Sequence, residues 1–143
     1  MAIKQVSIFV ENKPGTLVSI TDAIGAAGVD IRAMSIADTQ DFGILRLIVS
    51  DAEKTKQAVR EIGCVVSITE VVAVAVSDRP GALNDVMHVL SENGVNIEYM
   101  YAFLTSRGHN AYVVLRVADN DKAAQILASK GVKLVSEEDI ANL

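Results

Sequence analysis

The 143-residue sequence predicts an α+β fold built from two tandem β-α-β-β-α-β units. Three observations support this prediction. The second half of the chain repeats the first, strand-like and helix-like patterns alternate in the same order in both halves, and the same Pro-Gly turn follows the first predicted strand of each half. We therefore expect one domain at residues 1–69 and a second at residues 70–143.

The repeat is clearest where residues 12–34, NKPGTLVSITDAIGAAGVDIRAM, align with residues 78–100, DRPGALNDVMHVLSENGVNIEYM. Farther along, the alignment shifts by two residues, as a longer hairpin loop in the second half would produce. Such self-similarity indicates two copies of one structural unit. The identical pairs are Pro14/Pro80, Gly15/Gly81, Leu17/Leu83, Gly28/Gly94, Val29/Val95, Ile31/Ile97 and Met34/Met100.

The first half predicts six elements in order. A β-branched strand ends at the Pro-Gly turn, a helix with one apolar face follows, two strands form a hairpin, and a second helix leads to a last strand. The apolar face of the first helix consists of Leu17, Ile20, Ile24 and Ala27. The other elements are expected at residues 6–10, about 29–37, about 43–50, about 52–62 and 65–68.

The second half repeats this order. Its first helix places apolar residues at the same spacing, and its strands include VVAVAV (71–76), AYVVLRV (111–117) and VKLV (132–135). Two split β-α-β motifs with right-handed crossovers give a four-stranded antiparallel sheet with both helices on one face, the ferredoxin-like arrangement. Ser136, which precedes two glutamates, is the expected N-cap of a short surface helix at the end of the sequence.

Composition excludes several classes of function. The net charge is −5, and the Lys and Arg residues are scattered, so neither nucleic acid nor an anionic membrane is an expected partner. Cys64 is the only cysteine, which excludes an internal disulfide. No apolar run reaches the roughly 18 residues of a membrane span, and no signal peptide is evident, so we expect a cytoplasmic protein.

The repeated turn has two interpretations. In the structural one it is a well-formed helix start, with proline near the first helical position and an Asn12 or Asp78 side chain as cap, and local evidence favours it. In the functional one, the first backbone amides of the helix bind a carboxylate. Asn12 or Asp78 would then help to hold an ammonium group, and the ligand would be a free amino acid.

At these residues the chain resembles the ACT domains, small ligand-binding regulatory modules, over its whole length. The resemblance rests on the element order, on ENKPGTL (11–17) and SDRPGAL (77–83), and on GVDI (28–31) and GVNI (94–97). It implies an amino-acid site where two modules meet, built from the turn and the start of the second strand. The implied residues are Asn12, Lys13, Pro14, Gly15, Thr16, Leu17, Asp30 and Ile31 for one site, and Asp78, Arg79, Pro80, Gly81, Ala82, Leu83, Asn96 and Ile97 for the other.

The resemblance also implies the protein's role. The two copies leave no room for a catalytic domain, so we expect a non-catalytic allosteric regulator, a homodimer that acts on a separate enzyme or transporter. Asp30 stands where the family commonly has Asn, and Asn12 differs from Asp78, so the two sites are not expected to be equivalent. One alternative is an interaction module that oligomerises without a ligand; a weaker one is an enzyme or nucleotide binder of ferredoxin-like fold.

Other candidate chemistry is sparse. His88 and His109 have no partners at metal-ligand spacing, and Cys64 has no predicted base, so we expect no metal, no cofactor and no catalytic residue. Tyr99, Tyr101 and Phe103 alternate along one predicted strand. They fit core or interface packing, and alternatively the lining of a ligand site.

The amino-acid hypothesis predicts the effect of replacing Asp78 with alanine. Amino-acid binding weakens, because a carboxylate that faces the ammonium group is lost, while the fold stays intact. Isothermal titration calorimetry measures the affinity, and an unchanged value would remove Asp78 from the site.

Overall fold

The computed structural model describes residues 1–38, 40–105 and 108–143. These residues form two compact units. The first unit is Lys4–Thr69, and the second is Glu70–Leu143 together with Met1–Ile3. The elements in chain order are β1 Ile3–Glu11, α1 Thr16–Ala26, β2 Ile31–Asp38, β3 Phe42–Val49, α2 Ala52–Glu61, β4 Val66–Ser77, α3 Ala82–Glu92, β5 Tyr99–Ala102, β6 Asn110–Arg116, α4 Asn120–Ser129, β7 Lys133–Leu134 and α5 Glu137–Ala141.

The first unit has the strand order β2-β3-β1-β4. β3 pairs antiparallel with both β1 and β2, and the amide of Phe9 donates to the carbonyl of Val65 at 3.0 Å, just before β4. Alternate residues of β1 and β3 point toward the helices, because successive side chains of a strand face opposite sides of the sheet. The buried core of this unit is Val6, Ile8, Val10, Ile20, Ile24, Val29, Leu45, Leu47, Val49 and Val59.

The second unit repeats this arrangement. β4 pairs antiparallel with β6 and with β7, and β5 pairs with β6, which gives the order β7-β4-β6-β5. The predicted tandem ferredoxin-like fold is confirmed. The core contains Val72, Val74, Val76, Ala82, Val86, Leu90, Val113, Leu115, Val117, Ala123 and Leu127.

Two local expectations need correction. The sequence predicts separate strands at residues 65–68 and 71–76, but β4 runs without a break from Val66 to Ser77 because Thr69 and Glu70 are also extended. At the end of the sequence, Ser136 does cap α5, in a capping box with Asp139. However, α5 is not merely a surface helix, since Ile140 is buried.

The starts of the helices also differ from one interpretation of the sequence. α1 and α3 begin after Gly15 and Gly81, whose φ angles of 88° and 86° lie in the left-handed region that glycine adopts without steric cost. Neither helix has a side-chain cap, so the expected capping by Asn12 and Asp78 is wrong. The Asn12 side-chain amide instead donates to the carbonyl of Gln40 at 3.4 Å.

The second helix of each unit, by contrast, has an aspartate cap. The carboxylates of Asp51 and Asp119 accept hydrogen bonds from the amides of Lys54 and Lys122, each at 3.0 Å. Each aspartate therefore satisfies one of the unpaired amides at a helix start.

Replacing Asp119 with alanine should lower the free energy of unfolding by about 1 kcal/mol, because α4 loses its cap. Asp119→Asn keeps an acceptor oxygen at the same place and should retain most of the stability. Urea unfolding of both variants measures the difference. Equal losses for the two variants would show that the cap hydrogen bond contributes nothing.

Candidate functional site

The first turn, residues 12–17, carries unpaired backbone donors. The amide of Thr16 reaches the carbonyl of Lys13 at 3.4 Å, and that of Ser19 reaches the carbonyl of Gly15 at 3.1 Å. Between them, the amides of Leu17 and Val18 have no hydrogen-bond partner among the described residues. Because these donors lie at the positive end of the helix dipole, they suit an anionic group.

The first turn borders a cavity of about 460 Å³, which we call the first-turn cavity. The turn contributes one side of the lining, and the end of β1, the start of β3 and the segment between α2 and β4 contribute the rest. The lining residues are Phe9, Glu11, Lys13, Pro14, Gly15, Thr16, Ser19, Phe42, Ile62, Gly63, Cys64 and Val65.

A pair of opposite charges lies at this cavity. The ammonium of Lys13 is 2.9 Å from a carboxylate oxygen of Glu11, and both side chains are exposed. The hydrogen bond to Glu11 and its negative charge raise the pKa of Lys13, so the ammonium stays charged at neutral pH. An ion pair exposed to water contributes little to stability, so either partner can turn to a ligand at small cost.

Cys64 also lines the first-turn cavity. Its side chain is half-buried, and burial raises the pKa of the thiol. Cys64 is therefore protonated at neutral pH, which argues against its acting as a nucleophile.

The second turn, residues 78–83, repeats the backbone but not the charges. The amide of Asp85 bonds to the carbonyl of Gly81 at 3.0 Å, while those of Leu83 and Asn84 have no partner in the part of the chain that the structure describes. The guanidinium of Arg79 donates to the Asp85 carboxylate at 2.7 Å. Arg79 folds over the turn, since a Cβ on Gly81 would lie 4.0 Å from its Nη1.

The cavity beside the second turn, the second-turn cavity, measures about 270 Å³. Of the predicted site residues, Arg79 and Ala82 line it. Asp78 and Pro80 are exposed, and the amide of Asp78 donates to the carbonyl of His109 at 2.7 Å. The full lining is Ala75, Val76, Ser77, Arg79, Ala82, Asp85, Val86, Asn110, Gly131, Val132 and Lys133.

The predicted residues at the start of the second strand lie apart from the turns of their own unit. The Asp30 carboxylate pairs with Arg32 at 3.0 Å, and the Asp30 amide donates to the Ser50 hydroxyl at 2.9 Å. Asn96 and Ile97 line a separate cavity of about 450 Å³. Among the described residues, Asp30 and Ile31 do not line the first-turn cavity, and Asn96 and Ile97 do not line the second-turn cavity.

The remaining candidates have structural surroundings. His88 is exposed, with Nδ1 3.8 Å from a Glu92 carboxylate oxygen, and His109 lies in an exposed turn. The rings of Tyr99 and Tyr101 stack at 6.5 Å, and Phe103 packs edge-on against Tyr112 at 5.6 Å. Within residues 1–38, 40–105 and 108–143, no group of His, Cys, Asp and Glu side chains is placed to hold a metal ion.

Sequence reasoning missed the apolar side of the first-turn cavity, which Phe9, Phe42, Ile62 and Val65 form. A signal was present. At the aligned positions the second half has Ala75, Asn110, Lys130 and Lys133, so these four apolar residues are specific to the first copy. Comparison of the two copies position by position would have singled them out.

Comparison with known proteins agrees with the fold. No curated protein sequence matches the chain, and no helix in its described parts has the length and apolar character needed to cross a membrane. The structure is similar to that of protein BT0572 from Bacteroides thetaiotaomicron, with 40% identity, a TM-score of 0.92, and coverage of 100% of this chain and 98% of that one.

Two less similar structures are regulatory subunits of aspartate kinase, and at their low identity they show the fold alone. The subunit from Thermus thermophilus is 14% identical, with a TM-score of 0.64 and coverage of 88% and 91% of the two chains. The subunit from Thermus flavus is 15% identical, with a TM-score of 0.57 and coverage of 88% and 90%. A sequence model described as an ACT domain pair matches residues 1–143, and the chain therefore belongs to the ACT domain pair family.

Proposed function

We propose that this protein is a non-catalytic regulator that binds a free amino acid at its ACT modules. The ACT domain pair is a regulatory module, which supports a role in binding a small ligand. The observation that carries the proposal is the helix start at the first turn, which has no side-chain cap. Its residues Gly15, Thr16 and Ser19 line a cavity, together with the oppositely charged Lys13 and Glu11.

The chemistry of the first turn matches the two charged ends of an amino acid. The amides and the Lys13 ammonium suit the carboxylate, and the Glu11 carboxylate, with the Asn12 side chain nearby, suits the ammonium group. Because no side chain caps this helix, its first amides remain available to the ligand carboxylate. A capping oxygen would accept hydrogen bonds from the same donors.

The residues at the start of the second strand enter the site when modules assemble. Asp30 and Ile31, like Asn96 and Ile97, do not line the turn cavity of their own unit. A second copy of the chain in a homodimer would supply the missing strand start, so the complete site of residues 12–17, 30–31, 78–83 and 96–97 forms where ACT modules meet. This arrangement makes binding and assembly depend on each other.

Regulation follows from that coupling. A ligand that binds one assembly state more tightly shifts the population toward it, and a separate enzyme or transporter then responds to that state. Structures of regulatory subunits of aspartate kinase share this fold, which is consistent with a partner that is a separate protein.

A second candidate is an interaction module that assembles without a ligand. It is supported by the edge strand β2, which pairs on one side with β3 and exposes Met34 and Ile36. Unpaired strand edges with apolar residues favour pairing with another chain. On this alternative the turns are helix starts and nothing more.

Thermal unfolding against each of the twenty amino acids separates the two candidates. A ligand present at 100 times its dissociation constant stabilises the native state by about 2.7 kcal/mol, because it binds only the folded protein. For a chain of this size, we expect the melting temperature to rise by roughly 5–10 °C.

The matched controls are the methyl ester and the N-acetyl form of the amino acid that gives the shift. Each loses one charged end, so neither should reproduce the effect. If no amino acid changes the melting temperature while the protein assembles in solution, the hypothesis of an interaction module is correct.

A further inference from the structure

We propose that the first-turn cavity selects an amino acid with a large apolar side chain, aromatic or branched, and that the second-turn cavity does not. The inference rests on the proposed function for the ligand's charged ends and adds the class of side chain and the copy that recognises it. The observations that carry it are the apolar rim of one cavity and its absence at the aligned positions of the other.

The rim consists of Phe9, Phe42, Ile62 and Val65. Their side chains are 55%, 49%, 48% and 73% exposed, although each is large and apolar. The ring centroids of Phe9 and Phe42 lie 6.1 Å apart and the ring planes are inclined at 56°, so the two rings form a tilted aromatic pair. Clustered exposed apolar side chains around a concave opening mark a binding site far more often than scattered ones do.

The second unit shows that the fold does not require this rim. Phe42 pairs with Glu11 in the first sheet just as Asn110 pairs with Ser77 in the second, so the two positions are equivalent. By the same alignment Phe9 corresponds to Ala75. One backbone therefore accommodates both an apolar rim and a polar one, and the difference between them needs an explanation outside folding.

The other two rim residues, Val65 and Ile62, align with lysines in the second unit. Val65 contributes its carbonyl to Phe9, and the corresponding residue Lys133 pairs with Ala75. The C-cap residue of α2 is Ile62, whereas that of α4 is Lys130. Lysine thus stands at two of the four positions aligned with the rim, and one of the two, Lys133, lines the second-turn cavity.

The charges near the two turns also favour binding of the ligand at the first turn. In the second unit, Asp85 places a carboxylate in the first turn of α3 and holds Arg79 at 2.7 Å. A carboxylate inside the first turn of a helix offsets the positive end of the helix dipole, and α1 has no acidic residue there. The equivalent position in the first unit is Ser19, which is neutral and donates to the carbonyl of Thr16 at 2.7 Å. The first turn should therefore bind an anion more tightly than the second turn does.

The size of the first-turn cavity favours a small molecule as the occupant. Its volume of about 460 Å³ lies within the range of about 300–1,000 Å³ typical of ligand pockets. The apolar rim adjoins the Lys13–Glu11 pair, so one molecule with two opposite charges and an apolar side chain can contact both. Transfer of that side chain from water to the rim is favourable because it buries apolar area on both partners.

The experiment exchanges the rim residues between the copies. The double variant F9A/F42N gives the first unit the residues of the second, and both rings are about half exposed, so the fold should persist. Calorimetry with L-phenylalanine and L-leucine should give an affinity roughly tenfold to a hundredfold lower for the variant than for the natural protein. L-serine, which lacks the apolar side chain, should bind weakly to both proteins.

Leu104→Ala is the matched control. Leu104 is an exposed apolar residue of the second unit, 59% exposed, and does not line either turn cavity. Its replacement should leave the affinity for L-phenylalanine within about twofold, whatever role exposed apolar residues have in general.

Cys64 provides an independent readout of the same cavity. Since it is the only cysteine of the sequence, alkylation by iodoacetamide at alkaline pH, where part of the thiol is ionised, reports on one position. L-phenylalanine at saturation should slow this alkylation in the natural protein and not in F9A/F42N, and L-serine should have no effect in either.

These measurements distinguish failure of the apolar selection from failure of amino-acid binding itself. If L-phenylalanine binds F9A/F42N as tightly as it binds the natural protein, or if L-serine binds as tightly as L-phenylalanine, the apolar selection is wrong and amino-acid binding stands. If no amino acid binds, both proposals fail. If F9A/F42N changes the oligomeric mass while amino acids do not bind, the rim is a surface for self-association and the inference is overturned.

Discussion

The structure of each unit depends on one apolar layer between a four-stranded sheet and two helices. In the first unit, Ile8 and Leu47 of the sheet meet Ile20 and Ile24 of α1, all fully buried. Burial of such side chains is the main favourable term in folding. Because α1 must lie on this layer, the chain has to reverse direction directly after β1, and the Pro-Gly turn makes that reversal.

The way in which the turn is made determines the chemistry at its surface. Glycine at a positive φ ends the turn and starts the helix without help from a side chain, so the first helical amides keep their hydrogen-bonding capacity. At α2 and α4 the carboxylate of an aspartate accepts a hydrogen bond from one of these amides. The four main helices thus fall into two classes, two whose start has an aspartate cap and two whose start has no side-chain cap.

Duplication separates what the fold requires from what it permits. The core positions, the glycine turn and the aspartate cap occur in both copies. Each has a structural role in its own unit, either packing or starting a helix. The rim of the turn cavity does not recur. Phe9 and Phe42 occupy positions where alanine and asparagine support the same strand pairing, so the pairing does not require aromatic side chains there.

The sequence by itself determined the duplication, the order of the elements and the serine cap of α5. The duplication is visible by aligning the two halves, and the cap arises from a contact between residues close together in the chain, Ser136 and Asp139. Periodicity and turn chemistry record contacts of this kind directly.

Only the tertiary structure decided that Asn12 leaves α1 uncapped, that β4 is one strand, and that Phe9, Phe42 and Val65 meet around one opening. The three rim residues come from separate segments and are brought together by the pairing of β1 with β3 and β4. Such long-range pairing depends on register across the sheet, which no local pattern of residues specifies.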